Sequence, residues 1–148
     1  MSNYPDWWAD TITIYNRVED VQTQVVKWYR HVVNNCFWKN VGNKVHIGDV
    51  TLETNDIICR IPKSDEFLEK YKWLNIPNDH MEDYFTLGEG DIIIKGEVDD
   101  EINEYEKGKR SSDLIAKYKK LQGCMEIQQV ANNTGTGLPI EHYHVRGT

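Results

Sequence analysis

Cysteine, proline, long apolar runs and net positive charge are all in short supply in this chain. Its three cysteines, Cys36, Cys59 and Cys124, are odd in number and widely spaced, so they form neither a disulfide framework nor a C-x-x-C metal pair. Free buried thiols of a reducing compartment are the expectation. No stretch approaches the roughly 20 apolar residues of a membrane-spanning helix. The opening Met1–Asp6 has no basic segment followed by an apolar one, so no export signal is read. Lys and Arg number 17 against 24 Asp and Glu, a formal net charge of -7. That balance weighs against a protein that grips phosphate backbones, because such binding rests on cations neutralising phosphates.

Motifs that carry chemistry are missing as well. There is no G-x-S-x-G, no H-E-x-x-H and no H-x-E followed by C-x-x-C. Gly135-Thr136-Gly137 runs into Leu138-Pro139, so it completes neither a dinucleotide fingerprint nor a P-loop. The acidic stretch Glu97–Glu106 lacks the D-x-[DN]-x-[DN]-G order of a calcium loop. It reads as a solvated acidic face or a docking surface for a basic partner. His142 and His144, two apart on a strand, share one face as two metal ligands would, without an evident third. A small metal-dependent enzyme using that pair is the alternative function. The main expectation is a chain with no catalytic residues, no bound metal and no cofactor.

What is present is alternation. At 148 residues, with 39% hydrophobic and 28% charged residues, the chain suits a single domain over 1–148 that buries most of its apolar surface. Thr11–Tyr15 alternates and is β-branched, Asn16–Gln24 reads as a polar turn, and Val25–Val33 reads as the returning strand. Asn34-Asn35 predicts a bend or bulge before Cys36-Phe37-Trp38. Lys44–Ile47 and Val50–Glu53 flank Gly48-Asp49, a dipeptide suited to a two-residue hairpin turn. Asp56–Ile61 is a strand stopped by Pro62.

Ser64 as an N-cap before Phe67, Leu68, Tyr71 and Leu74 predicts a short helix. Ile92–Gly96, launched by Gly88-Glu89-Gly90-Asp91, is a compact apolar run with the length of a buried strand at the centre of the fold. Ser111-Ser112-Asp113 opens a second helix with Leu114, Ile115, Tyr118 and Leu121 as its apolar stripe and Gly123 as its stop. Met125–Val130 and His142–Arg146 are strands around a loop, Ala131–Pro139. About eight short strands and one or two short helices predict a mainly β fold, a small antiparallel β-barrel or sandwich.

Five tryptophans and eight tyrosines exceed what one small core needs. Trp28, Trp38 and Trp73 are assigned to the core or its rim. Trp7 and Trp8 are adjacent, so alternation sends one ring inward and the other outward, where it suits an interface anchor; the alternative is that both rings cap the bottom of the barrel.

The order of Asp10–Asn16, Trp28-Tyr29-Arg30, Cys36-Phe37-Trp38, Arg60-Ile61-Pro62, Gly90–Gly96 and His142–Val145 resembles small virion proteins of tailed phages and prophages of Gram-positive bacteria. That set carries only a domain-of-unknown-function label. More distantly, the chain is similar to head-to-tail joining or head-closure proteins, small β-barrels that assemble as rings between portal and tail. The resemblance implies a head-tail connector component that docks on portal, adaptor or tail proteins and on copies of itself, with no membrane partner. It places the chain in the virion, and in the host cytoplasm during assembly. A phage accessory protein that binds a host factor is a further alternative. Trp7, Trp8, the acidic residues Glu97, Asp99, Asp100 and Glu101, and the loop residues Asn133, Thr134, Gly135, Thr136 and Gly137 are the candidate interface. A negative chain is also compatible with lining a DNA conduit without sequence-specific binding, because repulsion keeps duplex DNA from sticking.

Overall fold

The computed structural model describes residues 4–135 and 140–148, with backbone alone for 42–45 and 52–55. The β-branched, alternating segments form six strands: β1 (Asp10–Glu19), β2 (Val26–Ile47), β3 (Val50–Pro62), β4 (Ile92–Lys95), β5 (Cys124–Asn133) and β6 (His142–Gly147). All pairings are antiparallel, and the order β1-β2-β3-β6-β5-β4 closes into a barrel through the β1–β4 pair. Two helices accompany it, α1 (Lys70–Trp73) and α2 (Ser111–Leu121). No described helix is long and apolar enough to cross a membrane. The mainly β barrel expected from alternation is therefore the fold.

Strand β4 explains its own sequence. Ile93 points into the barrel among Ile12, Ile14, Trp38, Met125 and Val145. Ile92 and Ile94 point outward, where Val98, Ile102, Leu114 and Tyr118 cover them. With both faces buried, an unbroken isoleucine run replaces alternation. An Asn16–Asp91 knot holds the segment leading into this strand. Asn16 Nδ2 donates to Thr86 O at 2.6 Å and to Asp91 Oδ2 at 2.9 Å, while the Arg17 amide donates to Asp91 Oδ1 at 2.9 Å. Burial raises the Asp91 carboxyl above its usual range, against the lowering effect of those donors.

Several boundaries differ from the sequence expectation. The eight expected strands are six, because Val25–Val33, Cys36–Trp38 and Lys44–Ile47 are one strand, as are Val50–Glu53 and Asp56–Ile61. Asn35, at φ 61°, bends β2 without ending it, and there the strand changes partner: Val26–Cys36 pairs with β1 and Phe37–Ile47 with β3. Asn16 to Glu19 is strand, not turn; only the segment after it reverses direction, with Asp20 Oδ1 accepting the amides of Gln22 and Thr23. The helix expected from Ser64 shrinks to Lys70–Trp73. Ser64 Oγ caps a turn by accepting the Glu66 amide, and Phe67 is drawn to the barrel mouth against Phe85 and Tyr143. In α2, Leu114 and Tyr118 are buried, but Leu121, its last residue, is exposed.

Gly147 marks the tightest approach in the sheet. A Cβ there would lie 2.1 Å from the Glu126 carbonyl oxygen, beside the register shift between Ile127 and Gln129. The expected outcome for Gly147→Ala is a loss of about 3 kcal/mol from overpacking against fixed backbone, read as a lower urea midpoint at unchanged slope.

Candidate docking surfaces

The surplus length of β2 and β3 builds the first surface. Within the barrel, Ile57–Arg60 of β3 pair with β2 on one side and β6 on the other, and Ile61 and Pro62 with β6. Among the described residues, Val41–Ile47 and Val50–Asp56 pair only with each other. The result is a two-stranded arm of seven residues a side, about 23 Å long at ~3.3 Å per residue, turned by Gly48 at φ 61°. By register, the pairs Ile47–Val50, Val45–Leu52, Asn43–Thr54 and Val41–Asp56 alternate with His46–Thr51, Lys44–Glu53 and Gly42–Asn55. The register positions nearest the tip on the first set are apolar in sequence, and Asn43, Thr54 and Asp56 follow toward the barrel. At its tip Ile47 and Val50 are 62% and 57% exposed. At its root the Arg146 guanidinium donates to the Asp56 carboxylate. Beside it lies a groove of about 610 Å³ lined by Asn40, Ile57, Lys119 and Cys124.

The outer face of β2, β3, β6 and β5 forms the second. Cross-strand register aligns Phe37, Arg60, His144 and Ala131 in one row, Lys39, Ile58, Arg146 and Gln129 in the next, and Pro62, His142 and Asn133 in a third. Trp7 and Trp8 are 61% and 4% exposed, one outward and one inward, but they lie in the turn before β1, where the Trp8 amide donates to Pro5 O at 3.0 Å, so turn geometry and not strand alternation separates them. Trp7 stands edge-on to Phe37 at 5.0 Å, and Trp8 packs on Phe37, Tyr4 and His142. The Arg60 guanidinium lies over the Phe37 ring at 5.5 Å. An exposed tryptophan braced by buried aromatics and an arginine has the makeup of an interface anchor.

His142 and His144 do share this face, with ring centroids 6.4 Å apart. His142 Nδ1–H donates to Ile140 O at 3.1 Å. Burial first, then Arg60, His142 and Arg146, holds His144 below the ordinary histidine value of 6.5. Those arginines repel a divalent cation as they repel a proton. Among the described residues no three His, Cys, Asp or Glu side chains gather as a metal site.

The acidic stretch is a structural strap as well as a charged surface. Val98 and Ile102 insert under α2. Tyr118 Oη donates to Asp100 Oδ1 at 2.7 Å, Lys117 Nζ to Asp100 Oδ2 at 3.0 Å and Tyr15 Oη to Asp100 O at 2.6 Å. Partial burial pushes the Asp100 carboxyl up, but the Tyr118 and Lys117 hydrogen bonds outweigh it and leave the group below its usual range. Asp99 meets Arg30 at 3.2 Å, while Glu97 and Glu101 stay exposed. In the loop, Asn133 pairs with His142, so Ala131–Asn133 extends β5. Asn132 Oδ1 accepts the amide and hydroxyl of Thr134, and Gly135 is exposed. Thr136 and Gly137 lie outside the described residues.

The structure thus gathers Trp7, Trp8 and Asn133 around one sheet face and sets the acidic strap beside α2, over the outer face of β4. Sequence reasoning missed the arm, although its turn was identified. The usable signal was the lack of any strong breaker between Phe37 and Ile47 other than Gly42.

Residues 8–148 match the model of a family described as one of unknown function. No curated protein and no solved structure matches the chain.

Two outcomes follow from these contacts. Asp100→Ala leaves the Tyr118 hydroxyl and Lys117 unpaired and lowers stability by about 1–3 kcal/mol, measured by denaturant titration. The native Asp100 contribution is present above the ordinary carboxyl value and lost as pH falls through the lower folded one. For His144, NMR titration gives a midpoint below 6.5, and Arg60→Gln moves it upward.

Proposed function

The chain belongs to that family, DUF6751, and we propose that it is a phage or prophage virion protein of the head-tail junction. It acts by docking on neighbouring subunits without transforming a bound molecule. The observation that carries this reading is the arm: a two-stranded ribbon with, among the described residues, one neighbour per strand and an exposed Ile47–Val50 tip. Such a ribbon adds nothing to the barrel core, and an isolated two-stranded hairpin is only marginally stable in water. Its surface is stabilised by contact with another chain, through free strand edges and an apolar tip.

The Trp7–Phe37–Arg60 cluster on the adjoining sheet supports the same reading, as aromatic and arginine side chains dominate binding energy at protein interfaces. The virion assignment adds the sequence resemblance to this geometry. Portal, adaptor or tail proteins are the partners it implies, with other copies of the chain forming a ring.

Mass spectrometry of purified particles from the parent phage or induced prophage tests the assignment. Detection at a fixed ratio to the portal protein is the expected result. Absence from particles, with the chain abundant in the lysate, overturns it.

A further inference from the structure

We infer that the aromatic and basic patch on the outer sheet face docks an acidic segment of a partner protein, an extended stretch whose carboxylates reach Arg60 and Lys39. This rests on the docking role proposed above and names the chemistry of what docks.

The patch is rich in donors and poor in acceptors. Phe37 and Arg60 sit opposite each other across β2 and β3, and Lys39 lies two residues along β2 on the same face. The half-buried Arg60 guanidinium lies over the Phe37 ring, and its Nε–H has no acceptor. The Trp8 Nε1–H, on a ring that packs on the same Phe37, has none either. Lys39 is exposed, and among the described residues neither it nor Arg60 meets a carboxylate. Buried donors are normally paired, because an unmet one keeps its desolvation cost. Acceptors of negative charge are what this surface lacks.

The neighbouring acids are engaged elsewhere. Asp10 Oδ2 accepts the Trp38 amide at 3.1 Å, Glu141 meets Lys63 at 3.4 Å, and Asp56 accepts from Arg146. Asp6 is exposed in the turn beside Trp7. Its charge turns the acidic end of a docked segment away from the indole and toward Lys39.

Spacing defines the occupant further. Lys39 and Arg60 are diagonal neighbours across the ladder, about 7–8 Å apart, and alternate residues of an extended segment are about 7 Å apart on one side. Two acids at alternate positions therefore match the two cations. An apolar residue two positions before them meets Trp7, exposed and edge-on to Phe37. A nucleic-acid strand fits less well: it adds a phosphate at every nucleotide against a chain of net charge -7, with two unpaired cations and one exposed ring to hold it.

His144 reports occupancy. It stands across from Arg60 on β6, and burial, then Arg60, His142 and Arg146, hold it below the ordinary histidine value. A carboxylate on Arg60 offsets that guanidinium and favours the protonated ring.

Titration of the full chain with the peptide Ac-Leu-Thr-Glu-Thr-Glu-NH2 at low salt, followed by NMR of the histidines, tests the inference. The expected result is saturable binding that raises the His144 midpoint, with the Gln-for-Glu peptide weaker by about tenfold. Lys39→Gln and Trp7→Ala, both at exposed positions, each weaken the Glu peptide, and Arg60→Gln abolishes the His144 response. Equal binding of the two peptides, or binding of neither, overturns the inference. Tighter binding of a single-stranded oligothymidylate than of the Glu peptide assigns the patch to nucleic acid and overturns it as well. In those cases the chain's presence in particles still upholds the virion reading. Glu-selective binding by a chain absent from particles upholds the patch and removes that reading.

Discussion

Strand β4 is the constraint on which the fold depends. Four residues pair with β1 on one edge and β5 on the other, and without them the sheet has two open edges where it now has a closed ring. The same four residues join the two cores: Ile93 belongs to the barrel interior, and Ile92 and Ile94 to the layer under α2. Burial of each isoleucine contributes roughly 1.5–3 kcal/mol relative to exposure. The Asn16–Asp91 knot holds the entry to β4, where a one-residue slip would send Ile93 outward and a neighbour inward.

Closure of the ring has a consequence for the surface. A closed barrel leaves few strand edges for partners, so docking capacity concentrates where strands outrun it. β2 has 22 residues and β4 has four, and the difference is expressed as an arm. Because Asn35 turns β2 from one partner to the next without breaking it, a single strand serves the barrel wall and the projection. Rigidity of the wall is then transmitted to the arm through a continuous ladder, with the Arg146–Asp56 pair bracing its root.

Charge follows the same separation. The net charge of -7 describes no particular face. The outer sheet beside Trp7 carries Lys39, Arg60 and Arg146, and the strap over α2 carries Glu97, Asp99, Asp100 and Glu101. On that strap, Asp100 and Asp99 are satisfied within the chain by Tyr118, Lys117 and Arg30. A run of acids in sequence is therefore partly internal structure, because alternate residues Val98 and Ile102 anchor it to the core.

Local pattern was enough to read the mainly β fold, the Gly48 turn, the bulge at Asn34-Asn35, the buried strand that starts at Ile92 and the helix from Ser111. Each depends on side-chain period or on backbone preference within a few residues. The length of β2 and β3, the true extent of the helix after Ser64 and the arm were settled by tertiary pairing. Whether a strand lies in a wall or projects depends on which strands, distant in the chain, flank it. Phe67 was pulled from its helical pattern by Phe85 and Tyr143 across the barrel mouth, and Asp100 from its acidic run by Tyr118. Periodicity carries the preference of each residue for inside or outside; the identity of the neighbour it meets there is a property of the closed sheet alone.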